Sequence, residues 1–178
     1  MDTNGDWAAG PSDALPTMHI DREVSLTKPA TIKVYDYWRA RRGNRVVPLR
    51  KDIHPKDLKA YIGQVGLIEV KENDKGVDYL VRLAGSRLEE VMGPITGKLF
   101  SECLPSAIEA RWRMVCDEVR RSGGPLSVSG RVAHERRFWL QAEVFVGPLA
   151  DENGKITQLL LGAETWSASA GAPGKVPA

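Results

Sequence analysis

Alternating apolar and polar residues in the last third of the chain predict three β-strands. Alternate positions in the run from Arg137 to Val146 form one apolar face, made of Phe138, Leu140, Ala142, Val144 and Val146. The opposite face carries Trp139, Gln141, Glu143 and Phe145. This period of two is typical of a strand with one buried face. Asp151 to Gly154 then predicts a tight turn because Asn-Gly supplies positive φ angles, and Lys155 to Ala163 predicts the next strand.

Helical periodicity precedes these strands. The longest predicted helix runs from Ser106 to Arg121 and ends at a glycine pair. Its apolar stripe consists of Ile108, Trp112, Val115, Cys116 and Val119. Other predicted elements are a helix at Thr31–Arg42, a short helix at Pro55–Tyr61, strands at Val65–Val70 and Val77–Ala84, and a short helix at Gly85–Met92. Two strands, helices and three further strands form the order of a small sensor domain, a class that binds ligands or partners and rarely catalyses a reaction.

Composition separates the two ends of the chain from its body. Residues 1–30 and 167–178 are rich in Gly, Pro, Ala and Ser and lack sustained periodicity. Such segments bury too little apolar surface to offset the entropy cost of ordering, so we expect two flexible tails. The body, residues 31–166, is expected to form one domain.

Overall charge and cysteine content narrow the function classes. The 178 residues are 42% hydrophobic and carry a net charge of +2, which disfavours a strongly basic nucleic-acid binder. Cys103 and Cys116 lie in no CxxC motif and have no metal-type histidine nearby, which indicates a reducing compartment. We find no apolar run long enough to span a membrane and no signal peptide. A cytoplasmic protein is the expectation.

Several short motifs in this order resemble the PAS domain family, and more narrowly a stand-alone PAS subgroup common in alphaproteobacteria. They are Tyr37-Trp38-Arg39, Arg41-Arg42-Gly43, Val47-Pro48, Arg50, Asp52-Ile53, Pro55, Leu58, Tyr79, Val81 to Ser86, Leu88, Gly93 and Thr96 to Lys98. The resemblance covers Val34 to Ala163; Leu49 departs from it, since the family more often has a small polar residue there. It implies an α+β fold with a five-stranded antiparallel sheet in the order 2-1-5-4-3, helices on one face and an N-terminal helical cap.

Basic residues are concentrated between Lys33 and Lys59, where nine Lys and Arg accompany only three acids. One interpretation is an anion or partner patch formed by Arg39, Arg41, Arg42, Arg45 and Arg50. The other interpretation is structural: Tyr35 and Trp38 anchor the core while the arginines form a solvated face. Pairing of the arginines with Asp36, Asp52 and Asp57 would favour the structural interpretation.

Cofactor and catalytic signals are weak. The long helix contains no histidine for haem ligation, and Cys103 lies outside the Asn-Cys-Arg-Phe sequence of flavin photosensors. We therefore expect no cofactor, a colourless protein and no metal site. Acidic residues occur as sequence neighbours that do not face one point, and Glu143 and Glu164 are interpreted as solvated residues on strands. With no catalytic residues identified, an enzyme is not expected.

Two functional hypotheses remain. The first is a stand-alone PAS regulator that contacts a signalling protein in trans, with or without a small ligand, and with homodimerisation as a further mode of action. The alternative is a basic module that contacts nucleotide or nucleic acid through its arginine-rich front; nucleic acid is the less expected partner. For the ligand pocket, strand alternation and the helix stripe predict as walls Leu80, Trp112, Val115, Leu140, Ala142 and Leu160.

Overall fold

One antiparallel sheet of six strands organises the computed structural model, which describes residues 15–133 and 140–167. The strands are β1 (Met18–Asp21), β2 (Val65–Asn73), β3 (Gly76–Ala84), β4 (Leu126–Arg131), β5 (Leu140–Ala150) and β6 (Ile156–Ser167). The α-helices are α1 (Pro29–Arg42), α2 (Ser86–Met92), α3 (Phe100–Cys103) and α4 (Ser106–Ser122), and two 3-10 helices lie at Arg50–Asp52 and Pro55–Gln64.

The strand order confirms the predicted fold class. Across the sheet the strands run β1-β4-β5-β6-β2-β3. Without β1, and numbering the remaining five along the chain, this is the predicted order 2-1-5-4-3. The turn before β6 also agrees with its prediction: Gly154 has φ +83°, and the Asp151 carboxylate accepts hydrogen bonds from the backbone N–H groups of Asn153 and Lys155.

The strand that was not predicted, β1, lies within the segment that sequence analysis assigned to a flexible tail. β1 pairs with β4, Met18 opposite Gly130 and Asp21 opposite Ser127. The side chain of Val24, the next apolar residue along the chain, is buried under α1. Local periodicity missed this strand because it is short and its pairing partner lies far away in sequence. The start of the predicted strand, at Arg137, lies outside the described residues, and β5 is described from Leu140.

Helices cover both faces of the sheet. The first face packs against α2, α3 and α4, where Ile68, Val115, Val144 and Leu159 contribute to the apolar core. The opposite face packs against α1 and the Pro55–Gln64 helix. The resemblance implied helices on one face and an N-terminal cap; the cap is α1 with this 3-10 helix, and it lies on the face opposite the other helices.

Candidate functional site

A cavity of about 450 Å³ lies between the sheet and helices α2 to α4. Its walls are mainly apolar and come from all three helices and from all six strands, with β1 contributing Met18. Representative lining residues are Ile68, Val81, Phe100, Ile108, Val128 and Val144. A concave, mostly apolar space of this size is within the range of about 300–1,000 Å³ that small-molecule sites occupy.

Two alanines on neighbouring strands create part of this space. Ala142 on β5 and Ala163 on β6 both line the cavity, and Ala163 lies opposite Val144 in the strand register. Because residues two apart on a strand share a face, Leu140, Ala142 and Val144 all point to the cavity side. The small side chains leave volume that a Leu or Ile at either position would occupy.

The structure brings together half of the predicted pocket residues. Trp112, Leu140 and Ala142 line the cavity, as expected. Val115 does not line it, since its side chain is fully buried in the apolar core formed by the same sheet face and α4.

Leu80 and Leu160 were assigned to the wrong face of the sheet. Leu160 packs in the core under α1, while its neighbours Leu159 and Leu161 pack on the cavity side. Leu80 has the same relation to Tyr79, which belongs to the cavity-side core. An error of one residue reverses every side chain because the period of a strand is two, and a continuous apolar run gives no alternation from which to choose the face.

Arg111 is a partly buried cationic lining residue that sequence reasoning missed. It is partly buried on α4, three residues after Ile108 and beside Trp112, so helical spacing places it on the apolar face. Within the part of the chain that the structure describes, its guanidinium has no hydrogen bond or ion pair, and burial lowers its pKa from the usual value. The prediction considered only the apolar residues of the stripe. The three-residue spacing from Ile108 was the signal that could have placed Arg111 on the same helix face.

Of the other charged lining residues, Arg131 is exposed at the end of β4, and the rest are paired or point to the other face. Arg87 pairs with Glu90 at 3.1 Å. Glu164 follows the cavity-facing Ala163 on β6, so its side chain points to the opposite face, where the carboxylate accepts a hydrogen bond from the backbone N–H of Ala30 at 2.9 Å. The cavity therefore offers an apolar interior with one partly buried cation, Arg111, that lacks an acid among the described residues.

On the opposite face, α1 is fastened by aromatic packing. Trp38 is only 1% exposed, and its indole N–H donates a 2.9 Å hydrogen bond to the carbonyl of Pro148 on β5. Its ring lies 6.1 Å from that of Phe145, which also packs against Tyr35. A Cβ at Gly162 would lie 2.6 Å from the Cβ of Val34, so α1 approaches β6 as closely as glycine allows.

Glu143 secures the start of α1 from β5. The residue is 5% exposed. Its carboxylate accepts hydrogen bonds from the backbone N–H groups of Thr27 and Lys28, at 3.0 and 2.9 Å, and from the hydroxyls of Thr27 and Thr31. Burial alone would raise the pKa of Glu143, but these hydrogen bonds outweigh it and lower the pKa below its usual value. An anion is also favoured at a helix N-terminus.

The expectation that Glu143 is a solvated residue was therefore wrong. Its cross-strand neighbour Glu164, partly buried, likewise reaches the start of α1. From the sequence alone, a carboxylate on an outward-facing strand position cannot be distinguished from one that meets a helix end packed there by the tertiary fold.

The five predicted patch arginines all have intramolecular contacts. Arg39 pairs with Asp36 at 3.4 Å, Arg41 with Asp57 at 2.6 Å, and Arg45 with Asp52.

The remaining two arginines lie against other parts of the fold. Arg42 lies 6.0 Å from the centre of the Trp38 ring, while Arg50 donates hydrogen bonds to the side-chain oxygen of Gln158 and the carbonyl of Ile53. The three acids are thus used as the structural interpretation requires, and Trp38 is the core anchor that it expected.

Thiols and metals add little at this site. Cys116 is buried and Cys103 half-buried; both are free, and burial raises the pKa of each thiol. Residues 15–133 and 140–167 contain no cluster of three or more metal-ligating side chains. None of the helices described is both long and apolar enough to cross a membrane.

Comparisons with known proteins give one family match and one structural similarity. A family model described as "PAS domain" matches residues 26–164. A search of the curated proteins finds no significant match. Among solved structures, the chain is similar to one described as "Structure of an RNA-binding Light-Oxygen-Voltage Receptor", with 11% sequence identity and a TM-score of 0.44. That match covers 84% of this chain and 38% of the receptor chain, so the chain spans well under half of that protein.

Proposed function

We propose that this chain, which belongs to the PAS domain family, is a sensory domain. Its cavity takes a small ligand, and its α1 cap transmits the occupancy of the cavity to a partner protein in trans. The apolar cavity of about 450 Å³ supplies the ligand site. The proposal gives this chain a binding and regulatory role, with no chemical step of its own.

The observation that carries the proposal is the double use of β5. Ala142 and Val144 line the cavity from one face of this strand, while Glu143 and Phe145 hold α1 from the other face. A ligand that shifts β5 by a fraction of an ångström therefore acts on the contacts of α1 directly. Coupling requires that the ligand bind one position of the strand and cap better than another.

A cavity-filling variant tests this coupling. In Ala142→Leu the new side chain occupies ligand space, and we expect hydrogen–deuterium exchange of residues 27–42 to change relative to the wild type. Gly124→Ala is the matched control, since a Cβ there meets only the Ser122 hydroxyl, at 3.7 Å. Unchanged exchange in α1, in a variant that has lost binding of an apolar probe, would refute transmission through β5.

The partner contact is a separate prediction. Under this proposal it involves the arginine-rich front of α1, where the internal acid pairs would be exchanged for a partner's acids. We expect Arg41→Glu combined with Arg42→Glu to keep the circular dichroism of the wild type and to reduce recovery of bound partner. Unchanged recovery would leave the front as a solvated face, and native mass spectrometry would distinguish a homodimer from a different partner.

The alternative function, contact with nucleotide or nucleic acid, gains no specific support from the site. Arg39, Arg41 and Arg45 already have carboxylate partners, so fewer guanidinium groups are available to phosphates than the sequence suggested. A salt titration discriminates the two functions, because the logarithm of the affinity falls steeply with the logarithm of the salt concentration when phosphates are bound.

A further inference from the structure

We propose that the ligand is an amphipathic monocarboxylate whose head group is bound by Arg111 and whose alkyl body fills the apolar cavity. This inference rests on the proposed function and names the chemical class of its ligand. It assigns Arg111 as the residue that determines ligand charge.

The arginines of α4 provide an internal comparison. Arg113 pairs with Glu109 at 2.6 Å and with Asp78 at 3.1 Å. Arg120 has Asp117 at 3.6 Å, and Arg121 has Glu118 at 2.9 Å. On the same helix, only the arginine that lines the cavity lacks a carboxylate among the residues that the structure describes.

Because Arg111 is partly buried, the lack of a carboxylate partner costs free energy unless a ligand supplies one. A guanidinium that is partly removed from water loses hydration, and an acid or a hydrogen-bond acceptor has to replace it. The lowered pKa of Arg111 has burial as its cause and is consistent with this loss. A ligand carboxylate would supply the missing acceptors, and its two oxygens match the fork of a guanidinium.

The balance of charge around the cavity favours an anion. Two acids line it, but Glu90 is paired with Arg87, and Glu164 directs its carboxylate to the start of α1 on the other face. Arg131, which is exposed at the end of β4, adds a further positive charge to the lining. A cationic head group would therefore meet repulsion, and a neutral one would leave the charge of Arg111 without a counter-charge.

The rest of the ligand is defined by the walls. Side chains of Val81, Phe100, Ile108 and Val128 enclose the interior, so the ligand body is apolar. Arg131 is exposed to solvent, so Arg111 is the partly buried cation that the ligand has to balance. One buried positive charge favours a carboxylate over a phosphate that carries close to two negative charges. An alkyl chain with a terminal carboxylate satisfies both requirements.

Titration calorimetry on the full chain, freed of bound lipid, tests the proposal with three probes of equal chain length: dodecanoate, dodecanol and dodecyl phosphate. The informative variants are Arg111→Gln, which removes the charge, and Arg111→Lys, which keeps it. Arg121→Gln is the matched control, since Arg121 is on the same helix but is exposed and paired. Circular dichroism confirms that each variant is folded.

We expect the wild type to prefer dodecanoate over both other probes. Loss of a hydrogen-bonded charge partner corresponds to about tenfold to hundredfold in affinity, so Arg111→Gln should weaken dodecanoate binding by that factor and leave dodecanol binding within about twofold. Arg111→Lys should retain part of the preference, and Arg121→Gln should behave as the wild type. These outcomes together support Arg111 as the head-group contact.

Other outcomes overturn the inference at identifiable points. Equal affinity for dodecanoate and dodecanol, or an unchanged preference in Arg111→Gln, would contradict the assignment of Arg111 as the head-group contact. Tighter binding of dodecyl phosphate than of dodecanoate would contradict the assignment of a carboxylate head group. In each of these cases loss of all binding in Ala142→Leu still supports the cavity of the proposed function, whereas unchanged binding of every probe in Ala142→Leu contradicts that function as well.

Discussion

The two faces of the sheet belong to the same strands but differ in how closely they are packed. On one face, Ala142 and Ala163 leave an apolar cavity of about 450 Å³ beneath α2 to α4. On the other face, Gly162 brings α1 into close contact and Glu143 satisfies the start of that helix. The first face has room for added volume, and the second has none.

This difference assigns separate tasks to the faces. Protein interiors are normally packed to the density of organic crystals, so a sizeable apolar space is a departure that a ligand can fill. The close packing of α1 makes that helix respond to small displacements of the strands below it. Five changes to the protein test this difference between the faces, and the first should have the largest effect.

Replacing Glu143 by Ala should destabilise the protein by about 3–5 kcal/mol, because the backbone N–H groups of Thr27 and Lys28 and two threonine hydroxyls would lose the carboxylate that they share as acceptor. The free energy of unfolding in urea measures the loss. Glu164→Ala, which removes a single hydrogen bond, is the comparison and should cost about 1 kcal/mol. Equal losses in the two variants would show that Glu143 has no special role under α1.

Gly162→Ala should cost about 1–3 kcal/mol, since the added Cβ would overlap with Val34 and push α1 away from β6. Denaturant unfolding measures the loss, and hydrogen exchange should locate it in α1. In Gly124→Ala the added Cβ makes only an ordinary contact with the Ser122 hydroxyl, at 3.7 Å, so this variant should be neutral. A stable Gly162→Ala variant with unchanged exchange would contradict the close packing of this face.

Ala142→Leu should stabilise the ligand-free protein by about 1–2 kcal/mol, because each buried CH₂ contributes about 0.8 kcal/mol where space already exists. The change has the opposite sign to that of Gly162→Ala, although both enlarge a small residue facing a helix. Thermal and urea unfolding check the sign. Destabilisation by Ala142→Leu would mean that the cavity walls cannot accept the side chain.

Acidification should loosen the α1 face. The folded protein lowers the pKa of Glu143 below its usual value of 4.5, so the unfolded chain binds this proton more readily. The stabilisation is fully present above pH 4.5 and declines as the pH falls towards the lower, folded-state pKa. Unfolding free energies from pH 7 to pH 3 should fall less steeply in Glu143→Gln, and parallel curves would exclude Glu143 as a source of the acid sensitivity.

Arg41→Gln should have the smallest effect, about 0–1 kcal/mol, since its pair with Asp57 is exposed and screened by water. Urea unfolding at low and high salt measures it, with Arg39→Gln as the companion variant. A loss well above this range would indicate that the arginine-rich front contributes to holding the cap on the sheet.

Much of the fold was predictable because its signals are local. The alternation through Leu140 and Ala142, the Asp151–Gly154 turn and the stripe of α4 each report the environment of a short segment. They placed the central strands and the long helix correctly and identified two strand residues and Trp112 as cavity walls. The same reasoning failed at Leu80 and Leu160, where uninterrupted apolar runs carry no information about the face.

The amino-acid sequence by itself determined the central strands, the long helix, the order of these elements and the family, since periodicity, turn residues and short motifs depend on neighbours along the chain. Only the tertiary structure decided which partners meet across long separations. It paired β1 with β4, placed Glu143 under the first turn of α1, matched Asp57 with Arg41 and left Arg111 beside an apolar cavity. These contacts depend on the packing of distant segments, and no local sequence pattern predicts which charged residue will be paired with an opposite charge.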